Sequence, residues 1–197
     1  RGSLSSDNAS SLPHGFIGLF EKEFSSDIPI SQRSSTLRRL CLWALLKKAV
    51  SSEFVSEVLK ENTDSTKALI DTYSKWFNSP EPGKYVLFHD RLRSYLIQKL
   101  SDHEVQEINE QLIAYLDQSL ESSVGEESEL YALEHLSTHM AVESQLENNY
   151  KRLHAFVNRE DLWPRQVRAS KEYKWSQKGV QYGIKEGARR QDEMNTL

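Results

Sequence analysis

Apolar residues recur at helical spacing along most of the chain, and the first part of the pattern predicts three consecutive helices. Over about 34–50 the apolar side chains cover nearly the whole circumference, which is typical of a central buried helix. Ser51 or Ser52 is predicted to cap a short helix that ends at Leu59, because a serine hydroxyl accepts from the amides of a first turn. A third helix is predicted over about 64–77.

A stretch rich in proline and glycine then interrupts the helical pattern. The segment 78–83, Asn-Ser-Pro-Glu-Pro-Gly, cannot continue a helix, since proline lacks the amide donor and glycine favours a turn. The β-branched and aromatic segment 84–88 is predicted as one short strand. Asp90 is predicted to cap and begin a further helix. This order is typical of a winged-helix unit in which the strand forms the wing.

The second half of the chain predicts helical hairpins. A long amphipathic helix is expected over 105–120, a break over 122–127, and further helices over 128–141 and 148–158. Neighbouring amphipathic helices with short connections usually pack antiparallel. We therefore expect a mainly α fold, with a winged-helix-like unit followed by a solenoid-like arm of antiparallel hairpins.

The segment 161–190 predicts one or two more helices, broken or started at Trp163-Pro164. Gly179, Gly183 and Gly187 recur every four residues and so share one helical face. Each glycine costs about 1 kcal/mol relative to alanine in a helix interior. We expect close approach of a neighbouring helix to offset that cost.

These patterns divide the chain into three parts. Residues 1–11 are interpreted as a tag remnant or linker, because they lack an apolar signal core and resemble an expression scar. Residues 12–100 are predicted to form the end of a helical domain plus the winged-helix domain. Residues 101–197 are predicted to form the helical arm.

Composition places the chain among ordinary folded proteins. Hydrophobic residues make up 38% of the 197 residues and charged residues 27%, which is typical of a globular domain. The single cysteine, Cys41, excludes an internal disulfide and a cysteine-based zinc cluster. The longest strongly apolar run, 40–46, is far shorter than the roughly 20 residues of a membrane helix. We expect a cytoplasmic protein that does not span a membrane.

Charge is distributed unevenly between two adjacent segments. From 101 to 147 there is no Lys or Arg, and the acids are Asp102, Glu104, Glu107, Glu110, Asp117, Glu121, Glu126, Glu127, Glu129, Glu134, Glu143 and Glu147. From 151 to 190 eleven Lys or Arg residues face four acids. Two interpretations stay open: the two faces attract each other or stay solvated, or they form a docking surface for a partner.

Motifs that would make the chain an enzyme are missing from the sequence. It has neither a GxxxxGK[ST] phosphate loop nor a GxGxxG turn. His135 and His139 share a helical face, but the HExxH pattern would require Glu where Leu136 stands, so packing and local hydrogen bonding is the preferred interpretation. Cys41 is interpreted as a small buried hydrophobe, not a nucleophile. No catalytic residue and no metal ligand is predicted.

Nucleic-acid binding is also disfavoured. In a winged helix that binds DNA, a recognition helix contacts several phosphates. The predicted helix over 64–77 offers Lys67 and Lys75 against Asp64 and Asp71, so its net charge is about zero.

Four segments resemble one known family. The segment YVLFHDRLRSYL at 85–96 resembles the strand-to-helix segment of the winged-helix domain in STAND NTPases, the NACHT and NB-ARC class of signalling switches. LPHGFIGLFEKEF at 12–24 resembles the end of the preceding helical domain, and LRRLCLWALLKKAVSSEFVSEVL at 37–59 resembles the first two winged-helix helices. LYALEHLSTHMA at 130–141 resembles the helical connector that follows. The resemblance extends over about 12–141.

The resemblance implies a regulatory role within a larger protein. His89 matches a histidine that in this family touches the phosphate of bound ADP and holds a closed, inactive state. The chain itself would then bind no cofactor, and ADP or ATP with Mg would bind the parent protein. Its partners would be an upstream nucleotide-binding domain, a downstream repeat or effector domain, and other proteins. The alternative is a self-contained helical scaffold that binds a protein partner through its charged faces.

Overall fold

The order of helices and strands follows the sequence pattern closely. The computed structural model describes residues 15, 18, 20–22, 24, 28–122, 126–143 and 150–195. The elements are α1 (Arg33–Leu45), β1 (Val50–Ser51), α2 (Ser52–Leu59), α3 (Thr63–Thr72), β2 (Phe77–Glu81), β3 (Lys84–Leu87), α4 (Asp90–Gln98), α5 (Asp102–Ser122), α6 (Glu126–Glu143), α7 (Tyr150–Val157), α8 (Leu162–Ser170) and α9 (Lys174–Asn195). The expected mainly helical fold with a small β element is confirmed.

The first buried helix ends earlier than its apolar pattern predicts. α1 stops at Leu45, and Leu46 is already extended with φ −61° and ψ 142°, so the predicted continuation to Val50 is wrong. Two tertiary contacts stabilise the extended backbone here. The Lys47 amide donates to Tyr131 Oη at 2.9 Å, and the Arg93 guanidinium donates to the Leu46 carbonyl.

The sheet has three antiparallel strands where the sequence predicts one. The strand predicted over 84–88 is β3 and lies in the centre of the order β1-β3-β2. The segment 78–83 does not simply turn, because Asn78 to Glu81 belong to β2 and only the following residues form the turn, with φ +75° at Gly83. Pro80 is tolerated because β2 is an edge strand, where a missing amide donor breaks no ladder.

The short helices around the sheet start close to their predicted caps. Ser51 caps α2, and its hydroxyl accepts from the Phe54 amide at 3.1 Å, as predicted. α3 is capped by Asn62, slightly before the expected start. It ends at Thr72, and a 3-10 turn at Ser74–Trp76 leads into β2, so the predicted helix to Phe77 is too long. The stacked rings of Tyr73 and Trp76, 5.1 Å apart, accompany this change of direction.

The second half is helical in the order expected. α5 packs along α6, and α9 packs against α6, α7 and α8. The break predicted over 122–127 is too long, since α6 already begins at Glu126. The predicted helix at 148–158 is described only from Tyr150, and the segment 161–190 forms two helices, of which α8 begins at Leu162.

The three glycines of α9 lie against α7, as expected. A Cβ placed on Gly179 would lie 3.4 Å from Val157 Cγ1, and one on Gly183 would lie 3.5 Å from Val157 Cγ2. At Gly187 the nearest atom would be Tyr150 Oη at 3.3 Å. The glycine face therefore permits close contact between the two helices.

One hydrophobic core connects the two halves of the chain. Buried apolar residues form a single cluster from Phe20 to Leu162, which includes residues of α1, α5 and α6. The predicted boundary near 100 thus falls inside a continuous core. The division into 12–100 and 101–197 stays a prediction, as do the winged-helix and solenoid assignments, and the segment 1–11 lies outside the described residues.

Candidate functional site

The candidate site from the family resemblance, His89, lies where β3 passes into α4. It is the N-cap of α4, so the prediction of Asp90 as the cap is wrong, and Asp90 is the first helical residue. The Nδ1 atom of His89 accepts from the Arg91 amide at 3.0 Å. Aspartate is a common N-cap residue, but Asp90 already lies inside the helix. Residue 89 has the extended backbone of an N-cap, with φ −146° and ψ 135°, so the imidazole of His89 supplies the capping acceptor.

This hydrogen bond determines the chemistry of the His89 ring. Because Nδ1 is an acceptor, the neutral imidazole carries its proton on Nε2, which is then a donor. The ring lies edge-on to Phe88, with 5.8 Å between centroids, and is half-buried. A donor beside the amide end of a helix suits a phosphate oxygen.

The histidine pair of the sequence pattern lies on α6 and is part of a buried hydrogen-bond network. The ring of His139, 1% exposed, bridges two helices. Its Nδ1 is 3.2 Å from Asn109 Oδ1, and its Nε2 is 3.1 Å from Tyr131 Oη. Since an amide oxygen only accepts, Nδ1 carries the proton and Nε2 accepts from the Tyr131 hydroxyl.

The network extends at both ends into backbone groups. The Asn109 amide donates to the His139 carbonyl at 3.2 Å, and Tyr131 Oη accepts from the Lys47 amide at 2.9 Å. Burial, followed by the charge of Lys47, lowers the pKa of His139 to about 3. His139 is therefore a neutral structural residue at neutral pH, as the sequence predicts.

His135, one turn earlier on α6, is different because it is buried but not hydrogen-bonded. It is 7% exposed, and neither ring nitrogen has a hydrogen-bond partner among the described residues. Its Nε2 lies 3.4 Å from Glu134 Oε2, but the alignment is not that of a hydrogen bond. The ring centroid is 4.9 Å from that of Tyr131. Local hydrogen bonding, predicted for both histidines, is thus absent at His135.

The other side chains that the sequence singles out have structural surroundings. Cys41 is fully buried, and burial raises its pKa to about 12, which opposes thiolate chemistry. Among the carboxylates, hydrogen bonds from Lys67 and Lys84 lower the pKa of Glu53 and Glu81 respectively. A general acid needs the opposite shift. In the described ranges, no group of three or more His, Cys, Asp or Glu side chains is placed to hold a metal ion.

The surface of α3 carries balanced charge. Asp64, Lys67 and Asp71 are all exposed, and Lys67 pairs with Glu53 at 3.0 Å. Such a surface lacks the excess of cations that contact with nucleic-acid phosphates requires. None of the helices in the described ranges has the length and apolar character needed to cross a bilayer.

An apolar groove between α7 and α9 is a second surface feature. It has a volume of about 620 Å³, and its walls include Trp163 and Ile184, which are among the exposed large hydrophobic residues. His154 and Asn158 also line the groove. The sequence analysis did not single out this groove, because its walls come from three helices whose packing no local pattern encodes.

Tyr131 and Asn109 are further site residues that the sequence analysis missed. Tyr131, His135 and His139 recur every four residues, so their common face was visible in the sequence. Asn109 lies 30 residues before its partner, and no local signal identifies it.

Comparisons with known proteins yield no relative, since no family model, curated protein or solved structure matches the chain.

Proposed function

We propose that the chain is the non-catalytic regulatory region of a STAND-type signalling NTPase. In this proposal it consists of a winged-helix unit followed by a helical arm, and it relays the nucleotide state of the parent protein to a sensor or effector domain. The observation that carries the proposal is His89 at the start of α4, directly after a hairpin-containing helical unit.

The order of elements supports the winged-helix part of the proposal. The elements follow the order α1-β1-α2-α3-β2-β3 with the strands arranged β1-β3-β2, and the proposal interprets this order as a winged helix in which the β2-β3 hairpin would be the wing. The wing would thus be a hairpin and not the single strand expected from the sequence. α4 follows the hairpin, and its N-cap is the histidine that matches the family position.

The chemistry of His89 supports the proposed contact with ADP. Its Nε2–H is a donor, and the amide end of α4 favours an anion beside it. In the closed state of the parent protein, His89 would donate to a phosphate oxygen of ADP bound by the upstream domain. The chain alone would supply half of that site.

The link between α6 and the connection after α1 supports the relay. Tyr131 joins the Lys47 amide to His139, and His139 joins Asn109 on α5. A hydrogen-bonded connection of this kind lets two helical units move as one rigid body. Rotation of the winged helix would then carry α5 and α6 with it.

The test uses the protein expressed from its complete reading frame. His89→Ala is expected to accelerate release of a fluorescent ADP analogue by about tenfold or more, as expected for a lost hydrogen bond to a charged group. His103→Ala, on the exposed surface of α5, is the matched control and should leave the rate unchanged. Unchanged ADP release in His89→Ala would remove the role in holding the closed state.

The 197-residue chain provides an independent arm of the test. It should bind neither ATP nor ADP more tightly than about 1 mM in calorimetry, because it lacks a phosphate loop. Tight binding by the chain alone would contradict the proposal.

The second candidate function is a helical scaffold that docks a protein partner. The groove between α7 and α9 favours it, because Trp163 and Ile184 expose apolar surface there. The reading frame upstream of residue 12 distinguishes the two functions. A GxxxxGK[ST] motif at a strand-to-helix turn favours the switch, and its absence favours the scaffold.

A further inference from the structure

The groove between α7 and α9 has two distinct ends. Gly183 lies against Val157, and Gly187 lies against Tyr150, so the two helices run antiparallel. Tyr150 and Gly187 therefore mark one end of the groove, and Val157 lies toward the other. The length of α7 between these ends is about 10 Å, or roughly two helical turns.

The walls of the groove are apolar and partly open to solvent. Ile184 of α9 is 66% exposed and Trp163 of α8 is 44% exposed, and both line the groove. The described residues that line it include no Asp, Glu, Lys or Arg. Large apolar side chains that share an exposed concave surface are typical of a binding site.

Two lysines stand beside the end that Tyr150 marks. Lys151 directly follows Tyr150 in α7. Lys185 directly follows Ile184 and lies three residues before Ala188, another residue of the groove wall, so it shares a helical face with it. Both lysines are exposed, and neither forms an ion pair with another residue that the structure describes. This end of the groove is therefore positively charged.

The nearby carboxylates do not balance these lysines. Glu186 is 4% exposed and binds Arg189 at 3.2 Å, so it does not face the groove opening as a free charge. Glu160 and Asp161 belong to the turn that follows Val157, at the opposite end, and the Asp161 carboxylate lies 3.2 Å from an arginine on either side of it in sequence. The groove thus combines an apolar interior with cations at one end and acids at the other.

We propose that this groove binds an amphipathic helix of a partner protein, whose apolar face is flanked by acidic residues that lie at the Tyr150 end. Apolar residues at i, i+4 and i+7 of such a helix reach into a groove of this length. Its carboxylates pair with Lys151 and Lys185 and set its orientation. The inference rests on the second candidate function, docking of a protein partner, and names the chemistry of that partner. It does not involve His89.

Charge disfavours a second copy of this chain as the occupant. In a symmetric contact the same surface meets itself, so the lysines beside the groove would approach those of the other copy. The segment 151–190 carries eleven Lys or Arg against four acids, which adds to the repulsion. The acidic helix α5 of another copy is no substitute, because its apolar side chains Ile108, Leu112 and Leu116 are fully buried in its own core.

The test uses the 197-residue chain and two synthetic helical peptides of about 18 residues. Both peptides carry leucines on one face, and the flanking positions are Glu in one and Lys in the other. The Glu peptide should bind with a Kd of about 0.1 mM or lower and shift the NMR amide signals of Gly183 and Gly187, and the Lys peptide should bind at least about tenfold more weakly. Equal binding of both peptides would overturn the acidic partner and leave docking intact, whereas binding of neither would overturn both.

An apolar variant locates the binding in the groove. Ile184→Glu places a charge in the groove wall and should weaken binding of the Glu peptide by at least about tenfold. Ile30→Glu is the matched control, because Ile30 is an exposed apolar residue outside the groove, at 81% exposure. Both positions are exposed, so the fold should be retained. Equal affinity in the two variants would place the peptide elsewhere and contradict the proposal.

A charge reversal tests the role of the two lysines. Lys151→Glu with Lys185→Glu should reverse the preference, so that the Lys peptide binds more tightly than the Glu peptide. Lys171→Glu with Lys174→Glu makes the same change of net charge at exposed positions outside the groove and should keep the preference for the Glu peptide. If both pairs changed the preference equally, net charge and not the groove would select the peptide, which would overturn the proposal.

Other occupants of the groove give different results. Sedimentation with vesicles of phosphatidylserine and phosphatidylcholine tests a lipid surface, and sedimentation velocity over a range of protein concentrations tests a second copy. We expect a monomer that does not sediment with the vesicles. Vesicle binding or dimer formation that Ile184→Glu abolishes would assign the groove to that occupant and overturn the acidic helix.

Discussion

At the residue scale, the hydrogen bonds of Tyr131 are the most consequential local feature. Its hydroxyl donates to His139 and accepts from the Lys47 amide, and the residue is fully buried. Two polar groups from distant parts of the chain therefore depend on one oxygen atom. Loss of one partner of a buried pair usually costs more than the hydrogen bond itself is worth.

The first prediction concerns this oxygen. Tyr131→Phe should lower the free energy of unfolding by about 2 kcal/mol, because it leaves the Lys47 amide and His139 Nε2 without their partner. Urea denaturation followed by circular dichroism measures the change. Tyr173→Phe, at a position 64% exposed, is the matched control. A loss no larger than that of the control would contradict the network.

The second prediction concerns pH. Burial lowers the pKa of His139 to about 3 and that of His135 to about 4, below the ordinary value of 6.5. As pH falls through about 6.5, the unfolded chain takes up protons that the folded chain does not, so the free energy of unfolding decreases. The expected loss is up to about 1.4 kcal/mol per pH unit for each histidine. Urea denaturation between about pH 6.5 and 5 measures this slope. This pH range lies above the one in which most carboxylates titrate, so their protonation contributes little.

Substitution of His139 checks its contribution to that slope. His139→Gln should reduce the slope of the free energy of unfolding against pH by the contribution of one bound proton, because glutamine does not titrate in the folded or the unfolded state. His103→Gln changes an exposed residue and is the matched control. Identical slopes for His139→Gln and the original chain would show that His139 is not buried in its neutral form.

The sequence predicted only part of this residue-scale picture. The spacing of His135 and His139 indicated a common face, and the missing Glu indicated a structural role. His139 is hydrogen-bonded to Asn109 and to Tyr131, and Tyr131 is in turn bonded to the Lys47 amide. Asn109 and Lys47 are far from His139 in sequence, so only tertiary packing brings these groups together. The sequence also did not identify His89 as the N-cap of α4, because that role depends on the extended backbone that residue 89 adopts in the fold.

At the scale of helices and strands, periodicity predicted which elements form better than where they end. The predicted helices over 105–120 and 128–141 correspond to α5 and α6. The errors occur where tertiary contacts override local preference. α1 ends at Leu45 because Tyr131 and Arg93 bind the extended backbone after it, and β2 contains Pro80 because it is an edge strand.

The third prediction tests the glycine face of α9. Gly179→Leu should lower the free energy of unfolding by about 1–3 kcal/mol, because its side chain would extend into Val157 and Ser137. Gly179→Ala should change stability by no more than about 1 kcal/mol, since its contacts of 3.4 Å and longer are close to ordinary ones and alanine favours the helix. Thermal denaturation measures both.

Ala188→Leu is the matched control for the glycine substitution, because residue 188 is exposed on the same helix. It should leave the melting temperature nearly unchanged. A Gly179→Leu variant as stable as this control would mean that the close approach of α7 and α9 can relax at little cost.

At the scale of the whole molecule, the acidic and basic segments partly pair within the chain. Arg152 binds Asp117 at 2.9 Å, and Arg165 binds Glu129 at 2.8 Å. The interpretation that the two faces attract each other is thus supported at these positions. Composition alone could not choose which charges pair, because the choice depends on how α7 and α8 pack against α5 and α6.

The fourth prediction concerns Arg165, whose side chain joins three elements. It donates to the Leu120 carbonyl at 2.9 Å, to Glu129 at 2.8 Å and to Asp161 at 3.2 Å, and its side chain is 22% exposed. Arg165→Leu should lower the free energy of unfolding by about 2 kcal/mol, because the Glu129 carboxylate and the Leu120 carbonyl lose a charged donor. Arg165→Lys should retain only part of the stability, since an ammonium group cannot reproduce the planar fork.

Salt distinguishes the electrostatic part of this contact from its packing. Urea denaturation at about 0.05 M and about 1 M sodium chloride should show a smaller difference between Arg165→Leu and the original chain at high salt, because exposed ion pairs are screened there. Arg168→Leu, on the exposed side of α8, is the matched control and should cost little at either concentration. If Arg165→Leu were as stable as Arg168→Leu, the ends of α5 and α6 would not be held to α8 by charge, and the apolar contacts of Leu162 with the common core would have to position α8.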